Sequence, residues 1–324
     1  MTGIPEAAAT LEDFAVRAGA QQVMALLDAA GTGVSHCLGV GGRDLTAEVG
    51  GRSTLAALEA LDADPGTELI LVISKPPDGE VAARVRERAA ALSTPVRFAF
   101  LGAGQPDLAA ATADALHALG TELPSAILRI SGADAPNDPF QSARSREAPP
   151  RGALRGLFSG GTLCDEAMVI ASAALGPIAS NTPLRPEWAL PGGTVTGHSM
   201  IDFGDDAYTR GRPHPMIDNG LRLERLAAEA ADPSCGVILL DVVLGHGAHP
   251  DPSADLAPAV AAAVERGKVV VVSLIGTDGD PQGLNRQADA LSGAGAAVFR
   301  ANADATRHAV AAADADADEG ASHD

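Results

Sequence analysis

Lysine is nearly absent from this chain of 324 residues: Lys75 and Lys268 are the only two, and arginine supplies the rest of the positive charge. Lysine and arginine together number 23 against 42 acidic residues, for a net charge of −19. A nucleic-acid surface needs a basic stripe, and none is present, so nucleic acid is excluded as a partner. Cysteine is also scarce. Cys37, Cys164 and Cys235 are odd in number, widely spaced and outside any C-x-x-C pair, which excludes a disulfide framework or a structural zinc site and leaves buried thiols. No apolar run approaches the roughly 18 to 20 residues that span a bilayer, and the opening MTGIPEAAATLEDF lacks the order of a signal peptide. The expected location is therefore the cytoplasm, with no membrane contact.

What is present is a foldable chain: 46% of residues are hydrophobic, and the length favours about two domains. Short apolar runs alternate with Ala-rich segments of helical period, the pattern of a parallel sheet covered by helices. The first half predicts a helix near 9–29, strands at 36–40, 69–74, 96–101 and 126–131, and helices at 53–62, 79–92 and 106–119. Residues 134–151, rich in proline and polar side chains, read as a linker. The second half predicts strands at 154–158, 199–203, 236–241, 268–274 and 296–299, with helices at 162–175, 219–231, 254–266, 283–293 and from about 302. The expected architecture is α/β, with two tandem parallel-sheet domains over 1–133 and 152–312. The acidic, low-complexity tail 313–324 falls outside the fold. Ligands of such sheets sit beyond the carboxyl ends of strands, so the loops there hold the candidate residues.

In LRGLFSGGTLCDEAM a strand runs into Ser159, Gly160, Gly161 and Thr162 and then into a helix. Glycines let backbone N–H groups approach an anion, and the helix N-terminus favours negative charge. The same residues equally fit an ordinary capped strand-to-helix turn. LGVGGRDL offers Gly41, Gly42 and Arg43 at a second strand end, either as an anion contact or as a tight turn with an Arg–Asp pair. VISKPPDG places the rare Lys75 at a third. In IDFGDDAYTRGRPHPMIDNG, Asp202, Asp205 and Asp206 precede Arg210, Arg212 and His214, and Pro213 and Pro215 restrict the backbone. The expectation is that the aspartates orient the two arginines toward an anion, or that the charges form an ion-pair network at an interface. His246, His249 and Asp251 in GHGAHPDP fit no metal-ligand signature, and no metal is expected. Arginine's planar fork suits carboxylate or phosphate, although a GC-rich genome or a salt-loving host produces the same arginine bias.

Taken in order, GVGGRDLTAEVGGRSTLAALEAL, VISKPP, LRGLFSGGTLCDEAM, the Gly-Arg-Pro-His-Pro-Met-Ile-Asp run and ILLDVVLGHGAHPDPSADLAPAV resemble the FdrA family, relatives of succinyl-CoA synthetase, from about Ala29 to Ala309. That resemblance implies two CoA-ligase-type, flavodoxin-like domains. It also implies a subunit of an oxamate carbamoyltransferase, which interconverts oxalurate plus phosphate with oxamate plus carbamoyl phosphate in purine and allantoin nitrogen breakdown. Under it, Ser159 to Thr162 receive phosphate, Arg210 and Arg212 receive carboxylate or phosphate, and His214 carries a proton or hydrogen bond. Phosphate or carbamoyl phosphate enters as substrate, and no bound cofactor is implied. Two departures stand out. AVRAGAQQVM (15–24) occupies the place of the family's Gly-rich turn, and LGAGQPDLAAATADALHAL holds no Gly-His-Ala-Gly segment, its histidine, His117, falling on a helix. The alternatives are an acyl-CoA synthetase subunit whose ATP-grasp and CoA-binding domains lie on other chains, and a non-catalytic scaffold. Each requires partner subunits.

Overall fold

A computed structural model describes residues 18–124, 129–131, 152–190 and 197–313. The larger sheet has seven strands: β3 (Arg129–Ser131), β4 (Ala153–Phe158), β5 (Ala179–Ser180), β6 (Ser199–Asp202), β7 (Cys235–Val243), β8 (Val269–Ile275) and β9 (Ala297–Phe299). Their spatial order is β3-β9-β8-β7-β4-β6-β5, parallel except where β3 meets β9. From β6 to β9 this is the flavodoxin-like order, in which the chain leaves β4 to one side for β6 and returns to the other for β7. β4 and β7 are buried along their whole length. Sheets covered on both faces demand near-continuous apolar strands, and CGVILLDVV and VVVVSLI supply them.

The smaller unit holds β1 (Ile70–Ser74) and β2 (Val96–Phe100), paired in parallel, with α2 (Arg52–Asp62), α3 (Gly79–Ala90) and α4 (Leu108–Ala118). Asp78 and Asp107 cap α3 and α4 through bonds from Val81 N at 3.1 Å and Ala110 N at 2.8 Å. Two sequence expectations differ here. The strand predicted at 36–40 is irregular: Gly39 and Gly41 interrupt it, Gly41 turns at φ +88°, and Leu38 is 48% exposed. The strand predicted at 126–131 is seen over Arg129–Ser131, and it joins the larger sheet beside β9 rather than the smaller one. The predicted linker 134–151 and all of the tail but Ala313 lie outside the described residues. Among the described residues no helix is long and apolar enough to cross a membrane.

The two units share one core. α1 (Ala18–Ala29) and α4 contribute Val23, Leu27, Leu108 and Leu116 to a cluster that continues through Leu163 and Met168 of α5 (Gly161–Leu175) to Val237 and Val271. At this junction the buried Glu166 accepts Leu108 N–H at 2.7 Å and the Asn302 amide, from the helix Asn302–Ala313, at 2.8 Å. Burial pushes its carboxyl from the ordinary value of 4.5 to about 7, against the pull of those two bonds. Between these values the folded state holds more protons than the unfolded one, so this group's contribution to stability falls as pH rises through the window. Glu166→Ala should flatten the decline in melting temperature between pH 5 and 8 and cost about 1–3 kcal/mol, because a buried N–H loses its acceptor. Thermal unfolding across that range checks both, and an unchanged slope would place the titrating group elsewhere.

Candidate functional site

The carboxyl ends of β4 and β7 meet at the point where the strand order reverses, the position at which sheets of this kind accept ligands. Here the crevice is filled by the chain itself. Asp241, on β7 and fully buried, accepts Ser159 N–H at 2.7 Å, the Ser159 hydroxyl at 3.0 Å and Gly160 N–H at 2.8 Å. Arg222, on the helix Gly220–Ala231, stands 3.2 Å from the same carboxylate and also donates to the Asp241 carbonyl. Burial pulls the guanidinium pKa of Arg222 down and Asp241 opposes it, while its Nε has no hydrogen-bond partner. The first two amides of the expected anion cradle are thus engaged by an internal carboxylate. Any ligand must approach at the start of α5, from Gly161 onward, where the helix N–H groups are not consumed within the helix.

Close approach explains the glycines. A Cβ on Gly160 would stand 2.3 Å from Ala18 Cβ, and one on Gly161 would stand 2.4 Å from Asp202 Oδ2 and 2.9 Å from Lys75 Nζ. Lys75, at the end of β1, crosses from the smaller unit and pairs with Asp165 in the first turns of α5 at 3.0 Å. Burial alone would lower the lysine, but Asp165 and then Asp202 outweigh it, so its pKa rises and it stays charged. Asp202, the last residue of β6, is fixed on its main chain by the Asn181 side-chain amide through two 2.9 Å bonds, and its Oδ1 accepts Gly204 N–H. Burial pushes its carboxyl up to about 6, with Lys75 resisting.

His214 completes the cluster. A Cβ on Gly204 would lie 2.9 Å from His214 Nε2 and 3.1 Å from Asp202 Oδ1, so the ring and the carboxylate converge over that glycine. The Met216 N–H donates to His214 Nδ1 at 3.2 Å, which leaves the proton of the neutral ring on Nε2. Burial lowers the histidine pKa, against Asp241. The site therefore combines a charged lysine, a neutral imidazole with an N–H to give, and a carboxyl that titrates near 6. It can hold one anion and exchange a proton beside it.

Other expected residues stay apart. Arg210 and Arg212 are exposed, and among the described residues neither guanidinium forms an ion pair. The aspartates do not orient them: Asp205 accepts Ala207 N–H at 2.9 Å to cap a short turn, Asp202 binds Gly204, and Asp206 is exposed. Backbone amides left open by that turn take the carboxylates before the arginines can. Arg43 is exposed, while its neighbour Asp44 is buried and accepts Ser53 and Thr54 N–H at 3.0 and 2.9 Å, so the suggested Arg–Asp pair is a helix cap instead. Gly41 and Gly42 shape that turn. Asp251 pairs with Arg286 at 2.7 Å and His249 with Asp255 at 3.2 Å, and among the described residues no group of three or more His, Cys, Asp or Glu could hold a metal ion. Asp165, Asp241, Arg222 and Asn181 are not among the residues expected from the sequence. Only Asp241 left a signal, as the one charge inside the apolar run VILLDVV.

The strand order and the glycine turn after β4 agree with a comparison of families. Residues 157–312 match the CoA-ligase family. The matched region holds every polar residue of the cluster except Lys75. The chain is 39% identical over 293 residues to the uncharacterized protein YahF of Escherichia coli K12, covering 86% of this chain and 56% of that protein. It thus spans little more than half the length of that curated relative. A mutant ATP citrate lyase of Methanosaeta concilii, solved with (3S)-citryl-CoA, aligns at a TM-score of 0.33 and 14% identity over 84% of this chain and 38% of that one, a likeness too low to carry weight. Within the matched region, Asp241→Ala should cost about 3–5 kcal/mol, because Arg222 would be left as a buried unpaired charge. Chemical denaturation measures it, and a loss below about 1 kcal/mol would mean that Asp241 does not hold the loop.

Proposed function

We propose that this chain is one subunit of an enzyme that makes or breaks an acyl phosphate, and that a single phosphoryl group is received at the start of α5. The observation that carries the reading is the meeting of Lys75 Nζ and Asp202 over Gly161, where only a glycine leaves room. One lysine and the open N–H groups of a helix N-terminus suit one phosphoryl group. They do not suit a nucleoside triphosphate, so ATP and CoA would be held by partner chains.

The finer form of the reading follows the FdrA resemblance. Carbamoyl phosphate is the smallest acyl phosphate of its kind, and its formation from oxalurate needs no covalent protein intermediate. A phosphate oxygen bonds to the carbamoyl carbon, the bond from that carbon to the oxamate nitrogen breaks, and the nitrogen leaves with a proton. Lys75 steadies the phosphate, and His214 Nε2–H or protonated Asp202 supplies the proton. Arg210 and Arg212, at the exposed rim, would reach a substrate carboxylate extending past the buried centre or a partner chain. The match of residues 157–312 to CoA-ligase favours a second reading, an acyl-CoA synthetase subunit whose acyl phosphate is passed on to CoA. Reconstitution with its native partners separates the two: oxalurate-dependent carbamoyl phosphate marks the first, and ATP- and CoA-dependent thioester marks the second. Loss of neither product on omitting this chain would make it a scaffold.

Anion binding should be coupled to a proton. Above about 6 the Asp202 carboxylate repels an anion at Gly161, and below it the neutral carboxyl can donate a hydrogen bond. Sulfate, whose own charge does not change over this range, should bind on the order of tenfold more tightly at pH 5 than at pH 7.5. Asp202→Asn should remove most of that dependence, and Lys75→Met should abolish binding, both read by calorimetric titration. Equal affinity at the two pH values in the unaltered chain would remove Asp202 from the site.

A further inference from the structure

Beside the polar centre the smaller unit holds a cavity of about 420 Å3, a volume typical of small-molecule sites. It exists because the strand predicted at 36–40 does not pair with β1, which has β2 as its one neighbouring strand among the described residues. Every residue from Leu69 to Lys75 borders the space, as does every residue from Thr32 to Gly41. Side chains of a strand alternate between faces, so an unbroken run means that the edge of β1, backbone included, looks into the cavity. The seven extended residues Leu69–Lys75, β1 with one flanking residue at each end, make it elongated, roughly 20 Å from end to end.

Its chemistry changes along that length. Val23, Leu27, Leu58, Leu61, Ile73 and Leu119 supply apolar wall. At the carboxyl end of β1 the cavity reaches Lys75 and Thr162, the latter in the first turn of α5, and at the opposite end of the strand it meets Glu68. A negative charge is thus drawn to the first end and repelled from the second. The interior between them favours hydrocarbon, since removing apolar surface from water is the main gain available there.

We infer that this cavity binds an unbranched acyl chain bearing one carboxylate, with the carboxylate at Lys75 and the chain lying along the open edge of β1. The inference rests on the reading of Lys75 as the anion-receiving group and, of the two readings above, on the acyl-CoA synthetase subunit, to which it adds the class of acyl substrate. The carboxylate then stands beside the phosphoryl position over Gly161, as acyl phosphate formation requires.

Calorimetric titration of the full chain with butyrate, hexanoate, octanoate and octanol tests the proposal, with sulfate as a separate probe of the anion position. Affinity should rise by up to about fourfold per added methylene. Octanoate should bind better than octanol, and Lys75→Met should bring the two together. Ala57→Phe, which fills the cavity from α2, should weaken octanoate at least tenfold and leave sulfate binding unchanged. Cys37 borders the cavity and is exposed while Cys164 and Cys235 are buried, so octanoate should also slow its alkylation. No dependence on chain length with sulfate still bound would overturn the cavity proposal alone. Octanol binding as well as octanoate, with sulfate not bound at all, would overturn the Lys75 reading on which the proposal rests.

Discussion

The carboxylate of Asp241 is the constraint on which the site depends. It lies at the reversal point of the sheet and is buried, and two backbone N–H groups, one hydroxyl and Arg222 converge on it. A buried charge persists only when its hydrogen-bonding capacity is met, so the loop after β4 has one acceptable path, across the end of β7. That path fixes where α5 begins. Once Gly161 is placed, the helix N-terminus, Asp165 one turn along it, and the side chains that approach from β1 and β6 have fixed relations.

The same loop brings the two units together. Gly160 lets Ala18 of α1 approach to a distance that no side chain would allow, and Gly19 does likewise for Thr162. Lys75 is delivered from the smaller sheet to a helix of the larger one, where it meets Asp165. The charge balance there is acidic, and burial raises the pKa of Asp202 toward neutrality because a further uncompensated carboxylate would cost too much. The acidity of the whole chain thus recurs at the site, and it is the basis of the proton-coupled anion binding proposed above.

Part of the candidate site was readable because a glycine turn between strand and helix is a local feature and lysine is rare in this chain. Ser159 to Thr162 stood out as a glycine turn between an apolar strand and a helical period, and Lys75 stood out by rarity. His214 was legible from the proline-framed run around it. The arginines of that run misled, because charge and rigidity nearby do not say which way a side chain faces. Here Asp205 is used by a backbone turn, and Arg210 and Arg212 remain exposed. Asp165 and Arg222 carried no local signal, since a charged residue on an amphipathic helix is ordinarily solvated.

The sequence by itself determined the alternation of strands and helices in the second half, the parallel character of its sheet and the glycine turn after β4, because periodicity and backbone freedom are local properties. It also suggested a strand at 36–40, where apolar residues alternate with glycines that weaken pairing. Only the tertiary structure decided that this segment stays off the edge of β1, that Arg129–Ser131 joins the larger sheet, and that Asp241 occupies the crevice. Those outcomes turn on which distant groups compete for the same backbone N–H groups and the same sheet edge, and the competition is settled only when the two units pack against each other.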